Sequence, residues 1–370
     1  MSTPILSGSN NKIAVIRAGQ SAKSDTFRAD MLLNQKFSGV QRYVIPPTPP
    51  ATYFKFQGVD YGYVSGGFAG PPNAVLDNSI EKFPFATFTT STNIGDQSPE
   101  NQTSKNQGWT SGDKGYSTGW TGEPVSPAAN LILQFPFSSE TMSVAGTSPN
   151  FHPAGGAFNA GHAVASDLKG GAGYHADDAI RRFPFATAVV TVISPPFPKF
   201  GGAGPSGTAE GRGGCTDNEN GYGYVLGAPG SYITQSIRRW AFASDTVLDY
   251  DHGQGGFYAN TSYASGEGNS SETHGFIATR GAPVQSWPFA AGSPVAATSV
   301  GPPIGNPVNQ YVQPTGVSST TFGFQAGGGG YFGAALTDEI KRFPFSNPFV
   351  SWTEVGTLST AKHGGAGFQV

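Results

Sequence analysis

Few of the 370 residues carry groups that do chemistry, so the first question is whether any of them converge. Six histidines are present: His152, His162, His175, His252, His274 and His363. None makes an HxH or HExxH pair, the spacings that put two imidazoles on one zinc ion. His252 follows Asp249-Tyr250-Asp251, which reads as an acidic hairpin turn, because the spaced ligands and closing Glu of a calcium loop are missing. Asp217-Asn218-Glu219-Asn220-Gly221 also reads as an Asx-rich turn, ahead of a calcium loop. Gly327 to Gly330 is not followed by the Lys-Ser/Thr of a phosphate loop, and no GxSxG elbow occurs. The one cysteine, Cys215, can close no intrachain disulfide and build no cysteine-rich zinc site. Catalysis needs titratable groups that converge in one pocket, whereas the charged residues are 12 % of the chain and scattered singly. The expectation is a non-enzyme: no catalytic residue, no metal site and no cofactor. Trp109, Trp120 and Tyr263 are candidates for stacking on a glycan, and the plainer reading makes them core or subunit contacts.

The composition says what kind of framework must position these groups. Gly and Pro number 53 and 29, and a chain so rich in them cannot be mostly helix. Aromatics at 12 % and a net charge of only −3 supply a core and argue against disorder. No Lys/Arg cluster is present to displace counterions from nucleic acid. No run of 18 apolar residues is present to span a bilayer as a helix. The Met-Ser-Thr-Pro start lacks the basic and then apolar pattern of a secretory leader. An all-β chain is expected.

One pattern recurs: an aliphatic residue, two residues that are often basic, then aromatic-Pro-Phe and a small residue. Its copies are centred on Phe83 and Phe85, Phe135 and Phe137, Phe183 and Phe185, Trp240 and Phe242 (with Ala241 in place of Pro), Trp287 and Phe289, and Phe343 and Phe345. The steps between first aromatics are 52, 48, 57, 47 and 56 residues. Interleaved with it is Gly followed by Tyr or Phe, at Gly62, Gly115, Gly173, Gly223, Gly275, Gly323 and Gly367. A β unit of roughly 50 residues fits a propeller blade of four short strands. Strand parity puts Ile80 and Lys82 on one face and Phe83 and Phe85 on the other, which suits a blade covered on both sides. Pro gives no ladder donor, so Phe-Pro-Phe marks a strand end or bulge. Segments 95–113, 200–222 and 300–320 read as variable loops.

Seven Gly-aromatic elements against six Phe-Pro-Phe elements point to a ring closed by both chain ends, which removes exposed edge strands. Val40, Tyr43 and Ile45 form a degenerate copy of the aromatic motif. The strand around Gly367 and Phe368 is expected to join the blade that starts near them. Seven blades is the expected count and six the alternative. Lys82, Arg182, Arg239 and Arg342 share one register. They read either as carbonyl caps or stacking partners of a neighbouring blade's aromatics, or as an anion-binding rim. Residues 1–38 lie outside the repeats and read as an arm, for attachment or for packing, ahead of a propeller over 39–370.

The pairing of Gly62-Tyr63-Val64-Ser65-Gly66-Gly67 with Ile80-Glu81-Lys82-Phe83-Pro84-Phe85-Ala86 resembles repeats in virion-associated β-propeller proteins of marine bacteriophages, especially those that infect cyanobacteria. Its arrangement is similar to Kelch- and RCC1-like propellers, without their signature motifs. The resemblance spans roughly residues 40–370. It implies a structural protein of the virion, on tail, fibre or capsid, whose partners are other virion proteins, bound through the arm or a propeller face, and the host surface. A glycan-binding propeller is the alternative, and a glycan-cleaving propeller enzyme the second alternative.

Overall fold

A computed structural model describes residues 57–69, 75–87, 90–97, 104–120, 131–147, 163–166, 172–176, 180–193, 214–226, 237–250, 267–278, 283–289, 297–304, 314–329, 335–346 and 348–370, together with 6–7 and 12–13. The chain divides into two compact units, Met1–Thr52 and Tyr53–Val370. In the first, Leu6–Ser7 pairs antiparallel with Lys12–Ile13. In the second, every described element is a strand.

Six four-stranded antiparallel sheets are found, each a meander ordered from an innermost to an outermost strand. Sheet two runs Ser104–Thr110, Lys114–Trp120, Leu131–Pro136 and Ser143–Thr147. Sheet three is Ala163–Ser166, Ala172–Ala176, Ile180–Pro184 and Thr191–Val192. Sheet four is Gly214–Asp217, Tyr222–Leu226, Ile237–Ala241 and Thr246–Tyr250. Sheet five is Glu267–Ser270, His274–Ala278, Val284–Pro288 and Thr298–Gly301. Sheet six is Thr315–Ser318, Phe322–Ala326, Glu339–Pro344 and Thr353–Thr357. Sheet one takes Tyr61–Ser65, Ser79–Pro84 and Thr92–Asp96 from the start of the unit, and its innermost strand, Ala366–Gln369, from the end. The innermost strand of each sheet neighbours that of the next, and that of sheet six neighbours that of sheet one, so the arrangement is propeller-like. Three of the expected loops therefore contain innermost strands: 104–110, 214–217 and 315–318.

Each repeat element has a definite place. The Gly-aromatic element lies on the second strand and the aromatic-Pro-Phe element ends the third, with Pro84, Pro136, Pro184, Pro288 and Pro344 as last strand residues. The two elements face each other across the ladder: Gly62 pairs with Phe83, Gly275 with Trp287 and Gly323 with Phe343. The aromatic ring lies over the glycine. A Cβ on Gly62 would stand 2.4 Å from Phe83 Cζ, and one on Gly275 would stand 2.2 Å from Trp287 Cζ2. These glycines are required for close approach of a side chain.

The core is a set of seams between sheets. Tyr63, Ile80, Ala366 and Phe368 of sheet one pack on Phe135 of sheet two. Trp109, Tyr116 and Ile132 of sheet two pack on Phe183 of sheet three. Sheets four and five meet through Tyr224, Cys215, Ile277 and Trp287, and sheets five and six through Phe276, Val284, Phe343 and Phe349. Val64, Phe83 and Phe85 of sheet one pack on Val317, Phe324 and Ile340 of sheet six. Packing on both faces is why the strands read as nearly continuous apolar runs.

Candidate functional site

Two ion pairs cross from one sheet to the next. After the aromatic-Pro-Phe element the chain makes a tight turn whose last residue has positive φ: Glu140 at 51°, Ala188 at 51° and Asp245 at 57°. The N–H of each donates to the carbonyl of Pro136, Pro184 or Ala241 at 2.8–2.9 Å. This geometry aims the fifth residue after the first aromatic at the preceding sheet. Lys82 Nζ of sheet one reaches Glu140 Oε1 of sheet two at 2.5 Å, and Arg182 of sheet three reaches Asp245 of sheet four at 2.8 Å. In sheet two the position of the basic residue is Gln134, and the matching turn of sheet three ends in uncharged Ala188. The basic residues also lie over aromatic rings of their own sheet: Lys82 over Tyr61, Arg239 over Tyr222 and Arg342 over Phe322, at 3.9–4.2 Å. The expected stacking partner was a neighbouring blade's ring. The ring used is in the adjacent strand, because the basic residue and the residue before the glycine share a face of one ladder. Glu140 also accepts from the Tyr63 hydroxyl at 3.2 Å. Burial, and then this carboxylate, push the Tyr63 pKa well above its ordinary value.

At the inner ends, the edge problem is met by hydroxyls. The N–H of Thr216 donates to Ser270 Oγ at 3.0 Å, that of Ser270 to Ser318 Oγ at 3.1 Å, and that of Gln369 to Thr110 Oγ1 at 3.1 Å. An innermost strand has no ladder partner on one side, and each hydroxyl of the next sheet satisfies one of its donors. Glycines allow the approach: a Cβ on Gly108 would lie 1.9 Å from the Gly367 carbonyl oxygen, and one on Gly367 would lie 2.1 Å from that of Gly316. Gln57 donates to the Ser270 carbonyl at 3.0 Å and Gly58 N–H to that of Ser318 at 2.9 Å, so segment 57–58 crosses these strands.

One polar cluster lies apart from both systems. Lys362 and His363 pair with Phe68–Ala69, which pairs in turn with Val75–Leu76. Lys362 is 1 % exposed and Glu81 is 0 % exposed. Lys362 Nζ lies 2.7 Å from Ser79 Oγ, 3.6 Å from Asp77 Oδ2 and 3.9 Å from Glu81 Oε1. Glu81 accepts from Ser91 Oγ at 2.6 Å, from the Ser359 N–H at 3.3 Å and from the Ser359 hydroxyl. Asp77 Oδ1 accepts from the Ser79 N–H at 2.6 Å, which fixes the carboxyl in an Asx-turn. Burial lowers the Lys362 pKa, against the opposing pull of the two carboxylates.

Of the residues singled out in the sequence, Phe83, Phe85, Phe135, Phe183, Phe242, Trp287 and Phe343 are buried, and Phe137, Phe185, Phe289 and Phe345 are partly buried. The side chain of Trp240 is outside the described residues. Trp109 is 1 % exposed, with its ring edge-on to Phe183 at 4.9 Å. It is seam core, with no face open to a glycan. The Trp120 side chain, Tyr263, Val40, Tyr43 and Ile45 lie outside the described residues. Gly367 and Phe368 do sit on a strand shared by both chain ends, and the partner seen is Tyr61–Ser65, with Phe368 opposite Tyr63. Asp217 forms the expected turn, accepting from the Asn220 N–H at 3.0 Å. His363 stacks on Phe68 at 5.4 Å. Among the described residues no group of three or more His, Cys, Asp or Glu is placed to hold a metal ion.

No protein-family model matches the chain, and no curated protein matches it. Among solved structures it is similar to the crystal structure of TolB from Acinetobacter baumannii, at 9 % identity and a TM-score of 0.48, over 85 % of this chain and 67 % of that one.

Proposed function

We propose that this chain is a non-enzymatic structural protein of a phage particle: a closed six-bladed propeller, displayed on tail, fibre or capsid, that contacts neighbouring subunits or the host surface. One observation carries the reading. The recurrent polar groups, Lys82, Glu140, Arg182, Asp245 and the inner hydroxyls, are engaged in fastening one sheet to the next. A repeat that commits its chemistry to its own seams serves as a scaffold, and function then lies in what the scaffold displays. The six-sheet count is the alternative weighed from the sequence. What supports it is the neighbourhood of sheets six and one, whose seam repeats the contacts of the others. The resemblance of the repeat to phage virion proteins supports the particle setting, with residues 1–38 as the attachment arm.

The test is electron cryomicroscopy of the purified protein beside the particle whose genome encodes it. The expected result is the chain at fixed, symmetric positions with residues 1–38 against another virion protein. A free monomer absent from the particle contradicts the proposal. Depolymerisation of host polysaccharide, abolished by one Asp or Glu substitution, contradicts it in favour of an enzyme.

A further inference from the structure

Lys362 lies in the segment that leads from the outermost strand of sheet six to the innermost strand of sheet one. Asp77 lies just before the third strand of sheet one. Their side chains meet in the interior at 3.6 Å, with Glu81 at 3.9 Å from the same ammonium. Glu81 has its own hydrogen bonds from Ser91 and Ser359, so its carboxylate is held without Lys362. Asp77 is clamped through Oδ1, which leaves Oδ2 toward Nζ. An ion pair taken out of water gives up hydration that its mutual attraction only partly restores. A nucleophile and an electrophile held beside each other gain a large effective molarity, and here the fold holds Nζ against the Asp77 carboxyl, 3.6 Å from Oδ2.

We propose that Lys362 and Asp77 become joined by an intramolecular isopeptide bond, with Glu81 as the proton carrier. The Lys362 ammonium gives a proton to Glu81. The free amine attacks Asp77 Cγ, whose carboxyl is protonated from the same site. The Nζ–Cγ bond forms, the Cγ–OH bond breaks, and the hydroxyl leaves as water with a proton returned through Glu81. One ammonium and one carboxylate become one amide and one water, with no change in oxidation state and no co-reactant. The lowered pKa of Lys362 favours the amine that attacks. Nζ also donates to the Ser79 hydroxyl at 2.7 Å, which holds it beside both carboxylates. Both groups are buried, so the electrophile within reach is the protein's own carboxyl. The bond would fasten the segment that delivers the closing strand to the sheet that the strand completes.

Intact-mass spectrometry of the full chain tests this. The expected mass is lower than the sequence mass by one water. Trypsin should then release a branched peptide that joins residues 56–82 to residues 343–370, uncut after Lys362. A folded chain at full sequence mass, or a lost water that maps elsewhere, overturns the bond. Glu81→Gln keeps the side chain's shape; its amide oxygen can accept from Ser91 and the Ser359 N–H, and its NH2 can donate to the Ser359 hydroxyl. It is expected to fold, as judged by its far-ultraviolet circular dichroism, and to stay at full mass. A cross-link that forms as completely in E81Q as in the parent overturns the role of Glu81.

Discussion

Phe324 of sheet six stacks on Phe85 of sheet one, with ring centroids 5.0 Å apart and planes 30° from parallel. The same contact joins Tyr63 to Phe137, Tyr116 to Phe185, Tyr224 to Phe289 and Phe276 to Phe345, at 4.6–5.5 Å. In each case the aromatic after the glycine of one sheet meets the second Phe of the aromatic-Pro-Phe element of the next sheet. The seam between the last and first sheets is thus built like four of those between consecutive sheets.

That equivalence sets an expectation for truncation. Phe324→Ala removes a fully buried ring and should cost about 3–5 kcal/mol in denaturant-induced unfolding. Tyr116→Ala should cost a similar amount. A Phe324→Ala cost far below that of Tyr116→Ala would mean that the seam of sheets six and one contributes little.

The glycine opposite each aromatic gives a second expectation. Gly62→Ala places a methyl 2.4 Å from Phe83 Cζ and should destabilise by about 1–3 kcal/mol through overpacking. In a Phe83→Leu background the same methyl has room, so a double-mutant cycle should show strong coupling between the two sites. Additive losses would mean that the ring does not rest on the glycine.

Alkaline stability follows from the tyrosines. Burial pushes the Tyr116 and Tyr224 hydroxyls up from 10.0 to about 12. Above pH 10 the unfolded chain releases protons that the folded chain still holds, so stability is level below pH 10 and falls as pH rises toward 12. Denaturant midpoints measured across this range, beside tyrosinate absorbance, check the sign. A midpoint that is flat or rising above pH 10 contradicts it.

Much of this architecture is legible in the residues. Parity alone separates Ile80 and Lys82 from Phe83 and Phe85, and the structure sends Ile80 and Lys82 toward sheet two and Phe83 and Phe85 toward sheet six. Gly367-Phe368 looks in sequence like a second-strand element but lies on the strand Ala366–Gln369, which pairs with Tyr61–Ser65. It belongs with Gly108-Trp109-Thr110, Gly214-Cys215-Thr216, Gly268-Asn269-Ser270 and Gly316-Val317-Ser318 on the innermost strands. That family has no fixed middle residue, because each one fills a different seam, so only the glycine and a following hydroxyl or amide recur. The outermost strands carry a further signal, Thr or Ser followed three residues later by Gly, as in Thr92 to Gly95, Ser143 to Gly146, Thr298 to Gly301 and Thr353 to Gly356. Acids five residues after a first aromatic, Glu140 and Asp245, follow basic residues one repeat earlier, a pairing visible once the register is known. The Lys362 cluster has no such signature. Its members come from segments 77–81, 91 and 359–362, and only the fold brings these together.

The most direct test of ring closure is amide hydrogen exchange at Gly367, Phe368 and Gln369. These residues pair with Val64, Tyr63 and Gly62, and the Gln369 N–H donates to Thr110 across the seam. The account predicts that their slowest exchange matches that of Tyr63 and Val64 and tracks global unfolding. Fast exchange at 367–369 while 63–64 stay protected would show a strand that comes and goes, and would contradict a ring closed by both ends of the chain.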